Sequence, residues 1–388
     1  MTLNNSNTLE IETFSKWDEL DIDPKILRGI YSYGYEIPSP IQSKSIISIC
    51  KGRDIIAQAQ SGTGKTASFT IGTLSHIDTG CKYTQAIILA PTRELATQIT
   101  NVIQSISYMM DNIRIKTIIG GTSVLKDLDD IRFNPPHVIV GCPGRVYDIM
   151  RRQYIDGKKI KILVIDEADE MLSQGFLEQI KNIISQMNSR TQIALFSATL
   201  PSNICEITDN FMQNPINIIV KAESLTLEGI KQFYIAVNND YEKYLTLKDI
   251  YHLISMSQCI IYCNSVNRVI ELYNSMKNDH FPVSYIHSNM DKNERQESFD
   301  EFKCGSSRVL ISSDITARGI DIQQVSIVIN FDIPKNVHTY LHRIGRSGRF
   351  GRKGCGINLI TSRDIQKMKE IENYYATEIK EFPNNFQI

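Results

Sequence analysis

Short apolar runs rich in β-branched residues recur along the chain, and longer amphipathic stretches separate them. Buried parallel strands are apolar throughout and need helical crossovers, so this alternation predicts parallel sheets with helices on both faces. The predicted strands, in chain order, are Asp54–Ala57, Ala86–Ala90, Ile115–Ile119, His137–Val140, Ile162–Ile165, Gln192–Phe196, Gln232–Val237, Gln258–Tyr262, Val283–Ile286, Arg308–Ser312 and Ile327–Ile329.

The series of strands and helices stops once and then starts again, which predicts two α/β domains in tandem. Between the two series lies the polar segment KAESLTLEG, which ends in glycine and is typical of a linker. With 388 residues, each half is long enough to bury its own core. We expect a polar N-terminal tail at 1–13, a first domain at 14–220, a linker at 221–229 and a second domain at 230–388.

Composition limits the environment and the partners of the chain. The formal net charge is −1, so any basic surface must be local. The 8 cysteines are scattered without a CxxC pair, which favours reduced thiols over disulfides or metal ligands. The N-terminus lacks the basic start and apolar run of a signal peptide, and no stretch approaches the roughly 20 apolar residues of a membrane span. We expect a cytoplasmic protein without a membrane anchor, with the nucleus as the other location left open.

The stretch AQAQSGTGKT, Ala57–Thr66, lies between a predicted strand and a helical pattern, which is the setting of a phosphate-binding loop. In such a loop Lys65 contacts the β- and γ-phosphates, and the Thr66 hydroxyl binds Mg²⁺. Ala59 stands where the general pattern has its first glycine. The alternative is a glycine-rich turn without a ligand, against which the Lys-Thr pair after Gly64 argues.

The sequence KILVIDEAD places an acidic cluster directly after an apolar strand. A carboxylate at the end of a strand beside a phosphate loop can hold Mg²⁺, and Asp166 fits that role. Glu167 is then placed to deprotonate the attacking water. The alternative is a solvated acidic start to the next helix, favoured by the helix dipole.

Together these two motifs resemble those of the DEAD-box RNA helicase family. Further motifs stand in the family's order: PTRELA at Pro91–Ala96, a glycine pair at Gly120–Gly121, SAT at Ser197–Thr199, ARGID at Ala317–Asp321 and HRIGRSGR at His342–Arg349. The segments ILRGI, LTLEGIKQF and IGRSGRFGRKG are similar to the eukaryotic initiation factor 4A subgroup. The resemblance runs from about Thr13 to the end and implies two tandem RecA-like domains joined by a short linker.

The resemblance also implies an ATP site. Tyr33–Gln42 resembles the family's Q motif, in which Gln42 reads the adenine edge. The aromatic that stacks on the base should be Trp17, with Phe14 as the alternative; from the residues alone, Trp17 is better explained as a core aromatic. The implied ATP-binding residues are Trp17, Tyr35, Gln42, Ser61, Gly62, Thr63, Gly64, Lys65, Thr66, Gly319 and Asp321, with Thr66 and Asp166 holding Mg²⁺ largely through water. The implied catalytic residues are Lys65, Glu167, Arg346 and Arg349, the two arginines acting as fingers on the γ-phosphate.

For coupling between ATP and RNA, the resemblance implies Asp169, Ser197, Thr199, His342 and Arg343. A plain helix N-cap is the alternative for Ser197 and Thr199, and an ordinary basic patch is the alternative for the arginines of HRIGRSGR. The implied RNA contacts are Pro91, Thr92, Arg93, Gly120, Gly121, Cys142, Pro143, Gly144, Arg145, Asn264, Arg295, Ser313 and Asp314. Such groups address phosphates and 2′-hydroxyls, so little sequence preference is expected.

Four positions depart from the family's usual residues. Cys142 replaces threonine, Lys292 replaces glutamine, His287–Ser288 replaces His-Gly, and Ser312–Ser313 replaces paired threonines. They affect the implied RNA contacts and leave the ATP chemistry untouched.

The implied function is that of an RNA-stimulated ATPase and RNA helicase, which uses ATP and Mg²⁺ to clamp RNA and unwind short duplexes locally. A monomer is expected, with regulatory protein partners left open. Two alternatives are an ATP-dependent RNA clamp or assembly scaffold with little unwinding, and an unrelated phosphate-loop ATPase such as a DNA translocase.

Overall fold

The computed structural model describes residues 11–59, 62–200, 204–220, 230–252, 257–314, 325–347 and 354–383. The chain divides into two compact units, Met1–Lys221 and Ala222–Ile388. The predicted linker, 221–229, lies outside the described residues.

The first unit is built on a seven-stranded parallel sheet. Its strands are β1 (Ile55–Gln58), β2 (Ala86–Leu89), β3 (Ile115–Ile118), β4 (Val138–Gly141), β5 (Ile162–Ile165), β6 (Gln192–Ser197) and β7 (Ile216–Ile219). They lie side by side in the order β3-β4-β2-β5-β6-β1-β7, and every pair is parallel.

Helices connect these strands across both faces of the sheet. They are α1 (Pro24–Ser32), α2 (Pro40–Cys50), α3 (Lys65–Ser75), α4 (Arg93–Ile106), α5 (Val124–Phe133), α6 (Pro143–Arg151), α7 (Ala168–Ser173), α8 (Leu177–Ser185) and α9 (Cys205–Phe211), with 3₁₀ turns at Trp17–Glu19 and Gly157–Lys159.

Successive residues of a strand serve opposite faces of the sheet. In β5, Ile162 and Val164 join one apolar core, whereas Leu163 and Ile165 join the other. Because both faces are covered, all four side chains are fully buried. This double burial explains why the strands are continuously apolar in the sequence.

The second unit repeats the architecture with a second seven-stranded parallel sheet, in the order β10-β11-β9-β12-β13-β8-β14. Its elements are β8 (Ile230–Ala236), α10 (Asp240–Asp249), β9 (Gln258–Tyr262), α11 (Val266–Asn278), β10 (Val283–Ile286), α12 (Lys292–Cys304), β11 (Val309–Ser312), β12 (Val325–Asn330), α13 (Val337–Ile344), β13 (Gly354–Ile360), α14 (Ile365–Tyr375) and β14 (Lys380–Glu381).

The predicted fold class, two tandem parallel-sheet α/β domains, is confirmed. Each predicted strand is present, with bounds that differ by at most two residues. Three further strands, β7, β13 and β14, were not predicted: β7 follows a proline, β13 carries two glycines, and β14 has only two residues. Within the described ranges, no helix is long and apolar enough to cross a membrane.

Candidate active site

The carboxyl ends of all strands in a parallel sheet meet at one edge, and the motifs of the first unit follow those ends. The phosphate loop, the DEAD sequence and the SAT sequence follow β1, β5 and β6, which are neighbours in the sheet. The PTRELA sequence, the glycine pair and the CPGR sequence follow β2, β3 and β4, which are also neighbours. The edge therefore has two halves, here called the phosphate half and the outer half.

The phosphate loop has the backbone that an anion site needs. Gly62 and Gly64 adopt left-handed φ values of +82° and +99°. Gly64 precedes α3, so that Lys65 begins the helix whose N-terminus faces the loop. A Cβ on Gly64 would lie 2.5 Å from the end of the Gln42 side chain, and the left-handed φ of Gly64 would strain any other residue there. Ser61 lies outside the described residues.

Ala59 is compatible with this loop. Its side chain is buried in the core, and its backbone N–H donates to the carbonyl oxygen of Ser197 at 3.0 Å. The methyl group therefore packs inside the protein.

Lys65 and Glu167 form a buried ion pair, with Lys65 Nζ 3.2 Å from Glu167 Oε1. Burial opposes the charge of Lys65, but the carboxylates of Glu167, Asp166 and Asp169 outweigh it and raise the pKa of the lysine. The lysine therefore stays charged inside the protein. Glu167 adopts a left-handed backbone (φ 50°, ψ 50°) at the start of α7, and such strain in a non-glycine residue is common at functional sites.

Asp166 is almost fully buried at the end of β5. Burial, together with the neighbouring Glu167 carboxylate, raises the pKa of Asp166 to about 7. The described residues hold no cluster of three or more metal-ligating side chains. Mg²⁺, however, commonly takes only one or two protein oxygens and completes its shell with phosphate and water. The Asp166 carboxylate and the Thr66 hydroxyl, both hard oxygen donors, fit a cation shared with a nucleotide.

Gln42 joins the Q motif to the phosphate loop. Its Nε2 donates to the carbonyl oxygen of Gly64 at 3.3 Å, and its Oε1 accepts from the N–H of Ser39 at 2.7 Å. An amide offers two donor hydrogens and two acceptor lone pairs, so one of each is left for a ligand. Gln42, which is itself buried, therefore ties the Q motif to the phosphate loop and keeps one donor and one acceptor for a ligand.

The burial of Trp17 favours the core-aromatic alternative over stacking on a base. Trp17 is completely buried, with Phe14 and Tyr35 ring centroids at 5.7 and 6.3 Å. Phe14, the alternative, is also buried in the same core. Because a stacking ring must present a face to the ligand, the half-buried Tyr35 is the remaining predicted aromatic.

The SAT hydroxyls bind the last aspartate of DEAD. Thr199 Oγ1 donates to Asp169 Oδ2 at 2.8 Å, and Ser197 Oγ accepts from the N–H of Asp169 at 3.3 Å. Ser197 Oγ also donates to the Thr199 carbonyl. These bonds favour coupling between the two motifs over the helix-cap alternative.

In the outer half, Arg93 lies against the glycine pair. A Cβ on Gly121 would meet Arg93 Nη1 at 2.6 Å, and the φ of +84° would strain any other residue at this position. Thr92 caps α4 by accepting from the N–H of Leu95 at 3.2 Å. The predicted RNA-contacting residues of this half are therefore brought together.

Asp127 is a site residue that the motifs did not reveal. It is buried, and its carboxylate lies 3.2 Å from Arg145 Nη1 and 3.3 Å from Lys116 Nζ. Thr122 Oγ1 donates to it at 3.1 Å, while Arg145 Nη2 donates to the Thr122 carbonyl at 3.2 Å. Asp127 thus fixes Arg145 against the loop that follows the glycine pair. Its position in α5, outside any motif, gave no sequence signal.

Cys142 occupies the N-cap position of α6, with Pro143 following it, and its side chain caps no N–H. Burial, followed by the nearby Glu94, raises the pKa of the Cys142 thiol to about 12. The group is therefore a neutral thiol. Gly144 has open space around its α-carbon, which leaves the backbone there accessible.

In the second unit, the predicted coupling residue Arg343 contacts two of the predicted RNA-binding residues. Arg343 is completely buried and donates to Asp314 Oδ1 at 2.6 Å and to Asn264 Oδ1 at 2.8 Å. It also donates to Asn330 Oδ1 at 3.1 Å and to the Asp332 carbonyl at 2.8 Å. With its guanidinium engaged inside its own unit, Arg343 positions Asn264 and Asp314.

Arg346, Arg295 and Ser313 are further predicted site residues of this unit. Arg346 is half-buried, and its Nε donates to the carbonyl of His342, which is buried, at 3.4 Å. Arg295 Nη2 donates to the Ser288 carbonyl at 3.0 Å, and the Ser313 N–H donates to the Ile286 carbonyl at 3.4 Å. Three predicted residues lie outside the described part of the chain: Gly319, Asp321 and Arg349.

Comparison with known families and proteins gives a consistent result. Residues 39–207 match the DEAD/DEAH box helicase family, and residues 242–351 match the helicase conserved C-terminal domain. ATP-dependent RNA helicase eIF4A of Scheffersomyces stipitis is 52% identical over 368 residues, covering 95% of this chain and 92% of that protein. The eIF4A of Saccharomyces cerevisiae is 49% identical over 370 residues, covering 95% and 93%.

Solved structures agree. S. cerevisiae Dbp5 bound to RNA and ADP BeF3 is similar with a TM-score of 0.87 and 34% identity, covering 94% of this chain and 95% of that one. Mss116p bound to ssRNA and AMP-PNP is similar with a TM-score of 0.85 and 26% identity, covering 96% and 80%.

Proposed function

Since the chain belongs to the DEAD-box ATP-dependent RNA helicases, within the eIF4A group, we propose specific roles for its residues in an RNA-stimulated cycle of ATP hydrolysis. The chain is an RNA helicase and an ATPase. The observation that carries the proposed roles is the buried pair of Lys65 and Glu167 beside the phosphate loop.

In the proposed site, the phosphate loop and the N-terminus of α3 hold the ATP phosphates. Lys65, kept charged by its acidic neighbours, turns from Glu167 to the β- and γ-phosphates when ATP binds. Glu167 is then released to accept a proton from the attacking water. Gln42 and Tyr35 hold the adenine, the first by its amide and the second by its ring.

Asp166 and Thr66 are the residues that we propose for Mg²⁺. When bound with ATP, Mg²⁺ would neutralise phosphate charge. The buried Asp166 carboxylate, whose pKa is raised, would be stabilised as the anion by that charge.

Arg346 and Arg349 are proposed to stabilise the charge that develops on the transferring phosphoryl group. The Asp169–Thr199–Ser197 hydrogen bonds are proposed to transmit the state of the phosphate half to bound RNA. Arg93, Arg145 and the glycine pair would contact the RNA backbone, which predicts little sequence preference.

We propose that RNA is the partner that makes these contacts. We also propose that the chain acts as a monomer in the cytoplasm. The relatives eIF4A and Dbp5 support RNA as the partner: the first is an RNA helicase by name, and the second has been solved with RNA.

ATPase assays with RNA and with DNA of equal length test the proposed function. We expect strong stimulation by RNA and little by DNA; equal stimulation would contradict RNA-specific coupling. The second candidate function is a clamp with little unwinding. A multiple-turnover unwinding assay on a short RNA duplex distinguishes it from a helicase. A clamp would bind RNA with ATP and release few strands.

A further inference from the structure

Seven cationic side chains gather at the amino edge of the first unit's sheet, which is the edge opposite the candidate active site. They lie in the segments that precede β2, β5, β6 and β1, four strands that are neighbours in the sheet. We call this set the basic edge, and it consists of Lys51, Arg53, Lys82, Lys158, Lys159, Lys161 and Arg190.

Backbone bonds hold these segments side by side. The N–H of Lys161 donates to the Gln85 carbonyl at 2.7 Å, and the Lys161 carbonyl accepts from the N–H of Gln192 at 2.9 Å. On the far side, Asp54 Oδ1 accepts from the N–H of Ile193 at 2.8 Å. Adjacent strands lie about 4.8 Å apart, so the four segments span only about 15 Å. The cations are thus crowded into a short row.

Carboxylates offset only part of this charge. Glu12 pairs with Lys51, and Asp156 lies 3.7 Å from Lys159. Two further carboxylates at this edge bind backbone N–H groups: Asp78 accepts from Gly80, and the buried Asp54 accepts from Ile193 and Gln213.

Three members of the row are exposed and, within the described part of the chain, their side chains form neither an ion pair nor a hydrogen bond: Lys82, Lys158 and Arg190. Lys161 is also exposed and outside the ion pairs, but its Nζ donates to the His76 carbonyl at 2.9 Å. In a protein whose formal charge is −1, such a local excess is a distinct surface.

Helix dipoles explain only some of these cations. The negative ends of α2, α3 and α8 point to this edge, and they favour nearby positive charge. That effect falls off within the last turn. Lys51 directly follows α2, but Lys82 and Arg190 stand several residues beyond the helices that precede them, α3 and α8. Lys158 belongs to the 3₁₀ turn Gly157–Lys159, whose end favours a cation, whereas the dipoles do not account for Lys82 and Arg190.

We propose that the basic edge binds the phosphate backbone of RNA that extends beyond the segment held at the carboxyl edge. A row of flexible cations without base-reading amides suits phosphates and carries no sequence preference. An anionic membrane surface is the other possible ligand of such a row, but membrane binding would also need an apolar side chain that inserts into the bilayer. Tyr83 is half-buried and lies beneath Lys159, whose Nζ is 5.1 Å from the ring centroid. Tyr154, in the segment before β5, is 39% exposed, so binding to lipid vesicles is one outcome of the test below.

The test uses the full chain with Lys82→Gln, Lys158→Gln and Arg190→Gln combined, and uridine homopolymers of about 10 and about 40 nucleotides, short and long relative to typical single-strand sites. We expect the Kd for the long RNA to rise roughly tenfold at low salt. The slope of log Kd against log salt should fall by about 2, because each of the three lost phosphate contacts contributes about 0.7 to that slope. The Kd for the short RNA should not change.

A matched control removes three exposed cations from the second unit, by Lys231→Gln, Lys303→Gln and Lys369→Gln. An equal change in both triple variants, or an equal loss for short and long RNA, would overturn the proposal. A lower thermal midpoint of the first triple variant with unchanged RNA binding would also overturn it, because the cations would then serve the helix dipoles. Loss of binding to phosphatidylserine vesicles, with RNA binding unchanged, would overturn it as well. The ATPase activity of the Lys82, Lys158 and Arg190 triple variant is also measured with the short RNA. Normal stimulation there shows that the proposed function is intact.

Discussion

Lys65 and Glu167 are held 3.2 Å apart in the interior of the first unit, although 102 residues of sequence separate them. The pair joins the helix after β1 to the residue after β5, across the intervening β6. Each charge makes the burial of the other tolerable, because an isolated buried charge would cost several kcal/mol. A ligand that takes the lysine must therefore leave the glutamate ready to accept a proton.

Glu167→Gln should abolish most ATP hydrolysis while preserving the fold. The amide can still accept from Lys65 but cannot take a proton, and a general base contributes roughly 10²–10⁴ in rate. We expect kcat to fall by that order and ATP-dependent RNA binding to persist, measured by steady-state ATPase assays and filter binding. Glu170→Gln, directly after the same motif, is the matched control, and normal hydrolysis by the Glu167 variant would refute its role as the base.

Tyr35 and Trp17 should respond differently to alanine. Because Tyr35 keeps an accessible face, Tyr35→Ala should raise the KM for ATP roughly tenfold, in line with about 1–3 kcal/mol for stacking on a base. Trp17→Ala should instead destabilise the first unit by about 3–5 kcal/mol, as expected for a large core aromatic. Denaturant unfolding and ATP titrations separate the two effects, with the exposed Tyr108→Ala as control. A large KM effect of Trp17→Phe in a stable protein would restore the original interpretation.

The strands and the phosphate loop could be predicted from the sequence, whereas the burial of individual side chains could not. The strands were predictable because burial on both faces leaves an unbroken apolar run, and the loop before Lys65 was predictable because its glycines are required by backbone angles. The complete burial of Trp17 was not predictable, because a motif gives the position of an aromatic ring but not its depth. The left-handed backbone of Glu167 and the enclosure of Arg343 depend on packing between distant segments, so no local pattern predicts them.

Asp127 should matter for RNA and not for ATP. Asp127→Asn keeps a hydrogen-bonding group but removes the charge that fixes Arg145. We expect the RNA concentration for half-maximal ATPase activity to rise roughly tenfold, with the KM for ATP and kcat at saturating RNA unchanged; a charge-assisted bond contributes about 1.5–3 kcal/mol.

Asp130→Asn provides the control, since Asp130 also pairs with Lys116 but does not contact Arg145. Asp127→Glu should recover part of the affinity. Identical behaviour of the two asparagine variants would assign Asp127 to stability alone.

Cys142→Thr should stabilise the first unit. The cysteine stands at an N-cap with extended backbone (φ −86°, ψ 143°) but caps no N–H, whereas a threonine hydroxyl can accept that bond. We expect the free energy of unfolding to rise by about 0.5–1 kcal/mol in urea titrations, and RNA affinity to rise slightly. Cys142→Val, which has the same shape as threonine without the hydroxyl, should give no gain; a similar gain would trace the effect to packing.

His137 should make the first unit sensitive to acid. Its Nδ1 accepts from the N–H of Arg114 at 3.1 Å, and the Arg114 guanidinium lies 2.7 Å from its Nε2. Nε2 also lies 2.8 Å from the Cys81 carbonyl. Burial, with the positive charge of Arg114, lowers the pKa of His137, although the Cys81 carbonyl and Asp78 oppose the shift. Protonation of the ring would break the bond from Arg114 and place two cations together.

The sign of the effect follows from that lowered pKa. The unfolded chain takes up a proton near the ordinary histidine pKa of about 6.5, whereas the folded chain resists until lower pH. The stabilisation is therefore complete above about pH 6.5 and is lost as the pH falls toward the folded pKa. Between about pH 7.5 and about pH 5.5, the urea midpoint of the wild type should fall further than that of His137→Asn, which cannot titrate. The exposed His280→Gln should behave like the wild type, and an equal loss in the His137 variant would place the acid sensitivity elsewhere.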